Sequence, residues 1–574
     1  MTERLLFAAG ERQSGDHSAS LSQMDSLQIA VGTIPKNAGD MIRPQGVLRR
    51  NCWAVFAVTG AIICQLILLA IAGWQNRQVL SQDGIQYIAA SRHYIEGHLD
   101  LAVNGYWGPL LSWLMIPIII LTDNSVLAAR IVMGFSAVVF LLGSILVLRA
   151  LQVHPAGVVL GTWIVSLASI DWSVSATTPD LLMGGAICFA ICGLMSHGWL
   201  QNRRTQFLTG ILFGLAYLAK SVVLPMTFLL LVGIGSLWTI NRFANPKLVL
   251  RGFVITLLGF GLIALPWLGV LSLKYHRFVF STSANIAHII VGPLANGHPA
   301  IYNVPEPGRN SWWEDPPYKL YSDIDWSPFQ SRAYFMYQLG VIAHNTGTTI
   351  DFLSTFDRFH LGFVAALLAL FTRAPWNRLM AIEKWRWAGP LIICSCCIYL
   401  PVYAAVMRYF YFAYPLLIAA GFGFVVSLTD DHQVRFNWPR VVAIGVVAVS
   451  FIGAQQIPLR QSLTGLDRPA GKYAYEIVKK MQISGTAGPV AAAGNVEAVA
   501  EFVSFIAREP YYGVEPNPTF EQIKQSGADL LVVDGGLSSL VTELSQDSAS
   551  ESFATIPTEE GKALIRVYRV VHHN

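Results

Sequence analysis

Charge is scarce in this sequence. Only 13% of its 574 residues are Asp, Glu, Lys or Arg, where a soluble chain carries roughly a quarter. With 53% hydrophobic residues and a mean hydropathy of +0.48, a soluble globular fold is excluded and a polytopic membrane protein is expected. The net charge of +4 is too small for a nucleic-acid partner. Cysteine is sparse as well. All seven cysteines lie in or at the edge of apolar runs and none falls in a long polar loop, which argues against a disulfide framework. Cys188 and Cys192 share a helix face but have no His or Cys at metal-ligand spacing, so they are expected to pack as small apolar residues.

Residues 1–48 are polar, rich in Ser, Gly and Gln, and are expected to form a disordered cytosolic tail. The first apolar run starts near Trp53 and is too long for the core of a secretory signal. Candidate spans begin near positions 53, 127, 155, 181, 221, 252, 356, 387, 409 and 439, with a shorter one over Phe207–Ala219. That makes about eleven transmembrane helices. The run Trp107–Leu121 decides the topology. If it is interfacial or re-entrant, then Arg49 and Arg50, Arg149, Arg203 and Arg204, Arg242, Lys247 and Arg251, Arg373, Arg378, Lys384 and Arg386, and Arg435 and Arg440 all fall on one face. The positive-inside rule makes that face cytoplasmic. The opposite face receives the first and second external loops, the long loop 272–355 and everything after residue 456.

The loop 272–355 is rich in aromatic and turn residues, with Trp312-Trp313-Glu314-Asp315-Pro316-Pro317 and Asp325-Trp326-Ser327-Pro328. Such density suits a lid at the membrane surface. After residue 456 the apolar runs shorten. Pro489–Ala493, Ala528–Asp534 and Ala563–Val571 read as strands, and Glu497–Arg508 and Thr519–Ser526 as helices. Residues 457–574 are therefore expected to form a small extracytoplasmic α/β domain. No Gly-rich phosphate loop follows Gly494, and no chemistry is assigned to this domain.

The few charges that remain near span ends are the candidate site. Asp83 opens Asp83-Gly84-Ile85-Gln86-Tyr87 about ten residues after the first span, and Asp180 stands in Thr177-Thr178-Pro179-Asp180-Leu181-Leu182 just before another. An ionisable residue at such a boundary costs insertion energy unless it lines a cavity. The plain alternative for each is a solvated helix cap. The same face collects Arg92, Lys220 and Arg408, with Glu306, Glu314, Asp315, Asp323 and Asp325 from the long loop. Arg408 can hold a phosphate by paired hydrogen bonds and Lys220 can act as a point charge. A carboxylate here can deprotonate a hydroxyl or hold a divalent metal. Lys220 and Arg408 can also be read as residues that snorkel to the interface.

A family pattern runs through these pieces. Asp83 with Tyr87, Tyr106-Trp107-Gly108-Pro109-Leu110-Leu111, Ala129-Arg130-Ile131, Thr178-Pro179-Asp180-Leu181-Leu182, Gly214-Leu215-Ala216 with Lys220, Leu265-Pro266-Trp267, and Arg408-Tyr409 with Pro415 occur in this order over residues 53–428. Together they resemble the GT-C superfamily of polyprenyl-phosphate-dependent glycosyltransferases, in the branch of protein O-mannosyltransferases and the lipid A aminoarabinose transferase. The resemblance implies a GT-C-like membrane domain over residues 49–456. It implies transfer of a sugar from a polyprenyl-phosphate donor to an extracytoplasmic protein, lipid or glycan, with inversion at the sugar. Asp83 would be the catalytic carboxylate and Asp180 the second acidic position, supporting the acceptor or a metal. Arg408 would bind the donor phosphate beside Tyr409, and Tyr87, Arg92, Lys220 and Glu314 are the further substrate-binding candidates.

Two departures stand out. Gly84 replaces a second acidic residue, and no Lys lies between Asp83 and Pro109 where the aminoarabinose branch has one. The phosphate ligand is thus left open among Arg92, Lys220 and Arg408, and the aminoarabinose reaction itself is disfavoured. A transporter or lipid flippase is the competing class. Such proteins usually carry repeated halves with broken midplane helices, and no repeat is visible here. The topology is directly testable: a reporter fused after residue 456 is expected outside the cytoplasm, and one fused near Arg203 inside it.

Overall fold

The computed structural model describes residues 52–571 except 197, 241–243, 294–301, 317–325, 372–383, 403–405, 430–437, 549 and 558–563. The tail 1–48 and Arg49, Arg50, Arg242, Asp323, Asp325, Arg373, Arg378 and Arg435 lie outside the described residues.

Apolar runs become helices because a helix satisfies every backbone polar group within its own segment. The first is α1 (Cys52–Gln75), followed by α2 (Gln82–Glu96), α3 (Leu99–Ala102) and α4 (Pro109–Thr122). Next come α5 (Ser125–Ala150), α6 (Pro155–Ser175), α7 (Asp180–Leu194), α8 (Arg203–Ala219), α9 (Val223–Ile240) and α10 (Pro246–Lys274). After α11 (Ser283–Ile290) and α12 (Arg332–Thr355) follow α13 (Leu361–Phe371), α14 (Ala388–Cys396), α15 (Tyr414–Leu428) and α16 (Trp438–Thr464). Each of the eleven expected runs is occupied by a helix: α1, α5 to α10, and α13 to α16. Among the described residues, seven helices are long and apolar enough to cross a membrane. The chain is an α-helical integral membrane protein with a small sheet domain at its C-terminal end.

The segment 272–355 is more regular than its composition implied. Besides α11 and a single turn at Trp312–Glu314 it holds the 24-residue α12. Gly340, Gly347 and the threonines around them dilute the apolar period of α12. The helix is anchored through polar groups instead: Gln338 donates to the Pro401 carbonyl at 2.8 Å and Asn345 to that of Leu400 at 2.9 Å.

Close helix approach carries the bundle. A methyl group at Gly210 or Gly259 would strike the backbone of the facing helix, at Thr256 and Phe207 respectively, and at Gly214 it would come within 2.7 Å of Ile263 Cβ. With no side chain between them, α8 and α10 touch backbone to backbone, as small residues permit in lipid. Polar cross-links add direction. Gln65 of α1 donates to Ser169 Oγ of α6 at 2.8 Å, and Asn76 donates to the Ser462 carbonyl of α16 at 2.7 Å.

The helix α16 continues past Gln456 to Thr464, and a short linker leads to α17 (Ala470–Ser484). Then follow β1 (Val490–Ala493), α18 (Glu497–Ala507), β2 (Tyr511–Glu515), α19 (Phe520–Ser526), β3 (Leu530–Asp534), α20 (Ser538–Gln546), β4 (Ser550–Pro557) and β5 (Leu564–Val570). The sheet order is β2-β1-β3-β5-β4, with β2, β1 and β3 parallel and β5 and β4 antiparallel additions. The expected strands are β1, β3 and β5. Strand β2 was hidden by Gly513 and β4 by its polar outer face, SESFATIP, whose burial alternates as an edge strand's does. Alternate residues of β1 and β3 point to opposite faces: Ala492 and Val532 pack with α18, and Ala493 and Val533 with α19 and α20.

Backbone contact between α8 and α10 predicts a sharp local intolerance. Gly210→Ala and Gly259→Ala are each expected to lower thermal stability in detergent by about 1–3 kcal/mol, the scale of overpacking. Gly60→Ala on α1, where an added methyl meets nothing within 4 Å, should leave the melting temperature unchanged or slightly raised.

Candidate active site

Ser81 begins the construction. As N-cap of α2 its hydroxyl accepts from the Gly84 N–H at 3.2 Å, and it also accepts from the Thr177 N–H at 3.1 Å. One side chain thus ties the start of the helix carrying Asp83 to the turn that presents Asp180. Gly84 is required by this approach, because a Cβ there would lie 2.5 Å from Ser81 Oγ and 2.7 Å from Thr177 Cβ. The missing second acidic residue in the Asp83-Gly84 motif therefore has a steric cause.

Asp180 starts α7 but does not cap it; no side-chain cap bond forms there. Its carboxylate, 1% exposed, accepts from Lys220 Nζ at 2.6 Å through one oxygen and faces Arg408 Nε at 3.4 Å through the other. Arg408 also pairs with Asp83. Lys220 is the C-cap of α8, and its ammonium lies 3.7 Å from the centre of the Tyr409 ring. Arg408 and Tyr409 come from the 3-10 segment Met407–Ala413 that leads into α15, held by the stacking of Tyr409 on Tyr399 and of Tyr411 on Trp172. Tyr87 lies one turn beyond Asp83, buried with its ring edge-on to Trp107 at 5.1 Å.

The result is a closed set of two carboxylates and two cations from four elements. Isolated charges in such surroundings would cost several kcal/mol each, and pairing offsets most of that. The pairing is incomplete. Asp180 Oδ2 and Arg408 Nε are buried, close, and misaligned, so neither has a hydrogen-bond partner. Snorkelling does not describe Lys220 or Arg408, which turn to carboxylates. A divalent cation fits this donor set poorly, since each carboxylate already faces a fixed cation. Among the described residues no three His, Cys, Asp or Glu side chains are grouped for a metal.

Two sequence candidates sit elsewhere. Glu314 is buried against the last turn of α2, with His93 Nε2 at 2.9 Å, the Asn310 N–H at 2.8 Å and Arg309 at 3.8 Å. It fastens the long segment to α2. Arg92 donates to Ser125 Oγ at 2.8 Å and lies over the Phe505 ring of α18 at 4.4 Å. Of the remaining loop acids, Asp315 is bound by Lys274 and Tyr275, and Glu306 by Arg309.

Asp83 and Arg408 form the floor of a cavity of about 670 Å³ whose opposite wall belongs to the C-terminal domain, at Asn495 and Asp534. That domain is locked to α2 by a group the sequence reading did not select. Glu501 of α18 is buried and accepts from Gln82 Nε2 at 2.9 Å and Gln86 Nε2 at 2.8 Å, on either side of Asp83. A lone carboxylate in the apolar run Ala498–Ala507 was the available signal.

No family model matches the chain, and no curated protein matches it by sequence. Its fold, however, is similar to that of ArnT from Cupriavidus metallidurans. Against the structure bound to undecaprenyl phosphate the TM-score is 0.54 at 14% identity, covering 90% of this chain and 98% of that one. Against the apo state it is 0.53 at 13%, covering 90% and 97%. The GT-C-like architecture expected from the scattered motifs is therefore present, membrane domain and C-terminal sheet domain together.

The interdomain carboxyl should register in stability. Burial pushes Glu501 up to about 8, against roughly 4.3 for a free Glu. The folded protein then keeps a proton that the unfolded chain releases, so this contribution is complete below about pH 4.3 and is lost as pH rises towards 8. Glu501→Gln is expected to flatten the melting temperature against pH between about 4.5 and 8. An unchanged slope would show that the carboxyl is ionised in the folded protein.

Proposed function

We propose that the chain is a glycosyltransferase of the cell's inner or plasma membrane, moving a sugar from a polyprenyl-phosphate donor to an acceptor outside the cytoplasm. The observation that carries this is Arg408, which is shared between Asp83 and Asp180, lines the cavity floor beside Asp83, and has its Nε–H without a hydrogen-bond partner. A guanidinium so placed can turn to an anion that enters the cavity. The likeness in fold to a protein bound to undecaprenyl phosphate supports a lipid phosphate as that anion.

In this scheme the donor phosphate engages Arg408 and Lys220, whose charges offset the negative charge that grows on the leaving phosphate. Drawing Arg408 towards phosphate loosens its hold on Asp83. The freed Asp83 oxygen takes the proton of the acceptor hydroxyl as the hydroxyl oxygen bonds to the anomeric carbon and the bond from that carbon to the phosphate oxygen breaks. A single displacement inverts the sugar. Asp180 keeps Lys220 and Arg408 in position, and Tyr409 shields the ammonium from water. The scheme routes no step through a metal, because the charge compensation comes from Arg408 and Lys220. In the orientation argued from the basic residues, the N-terminus is cytoplasmic and the cavity opens outside.

Sugar transfer from a radiolabelled polyprenyl-phosphate donor by the purified full chain tests this. Asp83→Asn is expected to cut turnover about a hundredfold or more while leaving donor binding nearly intact. Arg408→Lys keeps the charge but loses the planar fork, and should weaken donor binding by roughly 1–3 kcal/mol. Near-normal turnover in Asp83→Asn would remove the base from this scheme, and a silent Arg408→Lys would move the phosphate to Lys220.

A further inference from the structure

The carboxyl ends of β1 and β3 diverge. After β1 the chain turns to α18 on the face that packs towards the membrane helices, and after β3 it turns to α20 on the other face. Where neighbouring parallel strands send their connections to opposite faces, a crevice opens between the two loops, the usual ligand position in open α/β sheets. Here Gly494, at φ +81°, lets the loops meet closely; a Cβ on it would lie 2.8 Å from that of Asp534. The crevice faces the cavity above Asp83 and Arg408 and presents Asn495 and Asp534 to it.

Basic side chains line one side of this cavity only. Its membrane side carries the Asp83–Arg408 pair, and the linker at its rim carries Arg468, which donates to the Ser175 carbonyl. The domain side offers one amide and one carboxylate on a wall that is otherwise apolar, with Val496, Val499, Leu564 and Ile565, and without a Lys or Arg. Asn495 is exposed and has no hydrogen-bond partner among the described residues. Asp534 uses one oxygen to accept from the Gly536 N–H at 2.9 Å, and its other oxygen has no such partner. An amide and a carboxylate on an apolar wall suit the vicinal hydroxyls and C–H face of a sugar, whereas a phosphate would be repelled by Asp534. A peptide would be expected to add along a strand edge. Of the two sheet edges, β2 is already taken by residues 303–311, which bond to Tyr511 and Tyr512, and β4 lies beyond β5, two strands away from the crevice.

Building on the transferase activity proposed above, we propose that Asn495 and Asp534 form an acceptor subsite for a carbohydrate, so that the C-terminal domain holds the glycan or glycolipid headgroup over Asp83. The donor enters from the membrane side and the acceptor is gripped from the domain side.

The test uses full-length protein, radiolabelled polyprenyl-phosphate sugar, and membranes from a strain lacking this gene as the acceptor source. Asn495→Ala with Asp534→Ala is expected to raise the acceptor-membrane concentration for half-maximal transfer at least tenfold. Binding of undecaprenyl phosphate should change less than twofold, with the same melting temperature. Asp534→Asn, which keeps hydrogen bonding, should recover most of the loss. An unchanged acceptor dependence in the double variant overturns the subsite, and so does a parallel loss of undecaprenyl phosphate binding. Loss of transfer after protease treatment of the acceptor membranes would identify a polypeptide acceptor and overturn the carbohydrate assignment. If wild-type protein moves no sugar while still binding undecaprenyl phosphate, the transferase activity itself fails and the subsite falls with it.

Discussion

Four charges that cancel hold the functional end of this protein together. Asp83, Asp180, Lys220 and Arg408 come from residues far apart in sequence, and each would be expensive to seat alone beside an apolar bundle. Their mutual compensation fixes where α2 and α7 begin, where α8 ends and where the segment before α15 lies. Other features serve that convergence. Gly84 lets Thr177 close on α2, and Gly108 lets the start of α4 abut the last backbone carbonyls of α8, next to Lys220. The cluster balances in charge but not in hydrogen bonds, with one oxygen and one nitrogen unmatched.

Scarcity made this cluster readable. In a chain with so few charges, an aspartate at a span end has few innocent explanations, so Asp83, Asp180, Lys220, Arg408 and Tyr409 could be named before any contact was known, and they meet. Arg92 and Glu314 were named by the same logic but belong to the clamps around α2, because proximity to a membrane face does not say which way a long side chain turns. The helices of the bundle follow from apolar length alone. Helix α12 escaped because its anchoring is polar, and β2 and β4 escaped because a glycine and an exposed face blur the alternation that marks a strand.

What sequence could not reveal is the relation between the two halves. Nothing in the run around Glu501 says that it will meet two glutamines some four hundred positions earlier, nor that loops after β1 and β3 will face Asp83. These are facts of docking, set by the burial of α18 against α2, and they make the sheet domain one wall of the cavity. The low identity to proteins of similar fold fits a bundle geometry that tolerates exchange of one apolar residue for another.

The pairing of Gln82 with Glu501 also has a consequence in time. The two residues are 419 positions apart, so at synthesis rates of about 5–20 residues per second α2 leaves the ribosome roughly 20–80 s before its partner exists. During that interval the helix bearing Asp83 can be held only by the earlier-made partners of Ser81, Asp83, Arg92 and His93. The contact that sets the far wall of the cavity therefore forms only after all the membrane helices have been made.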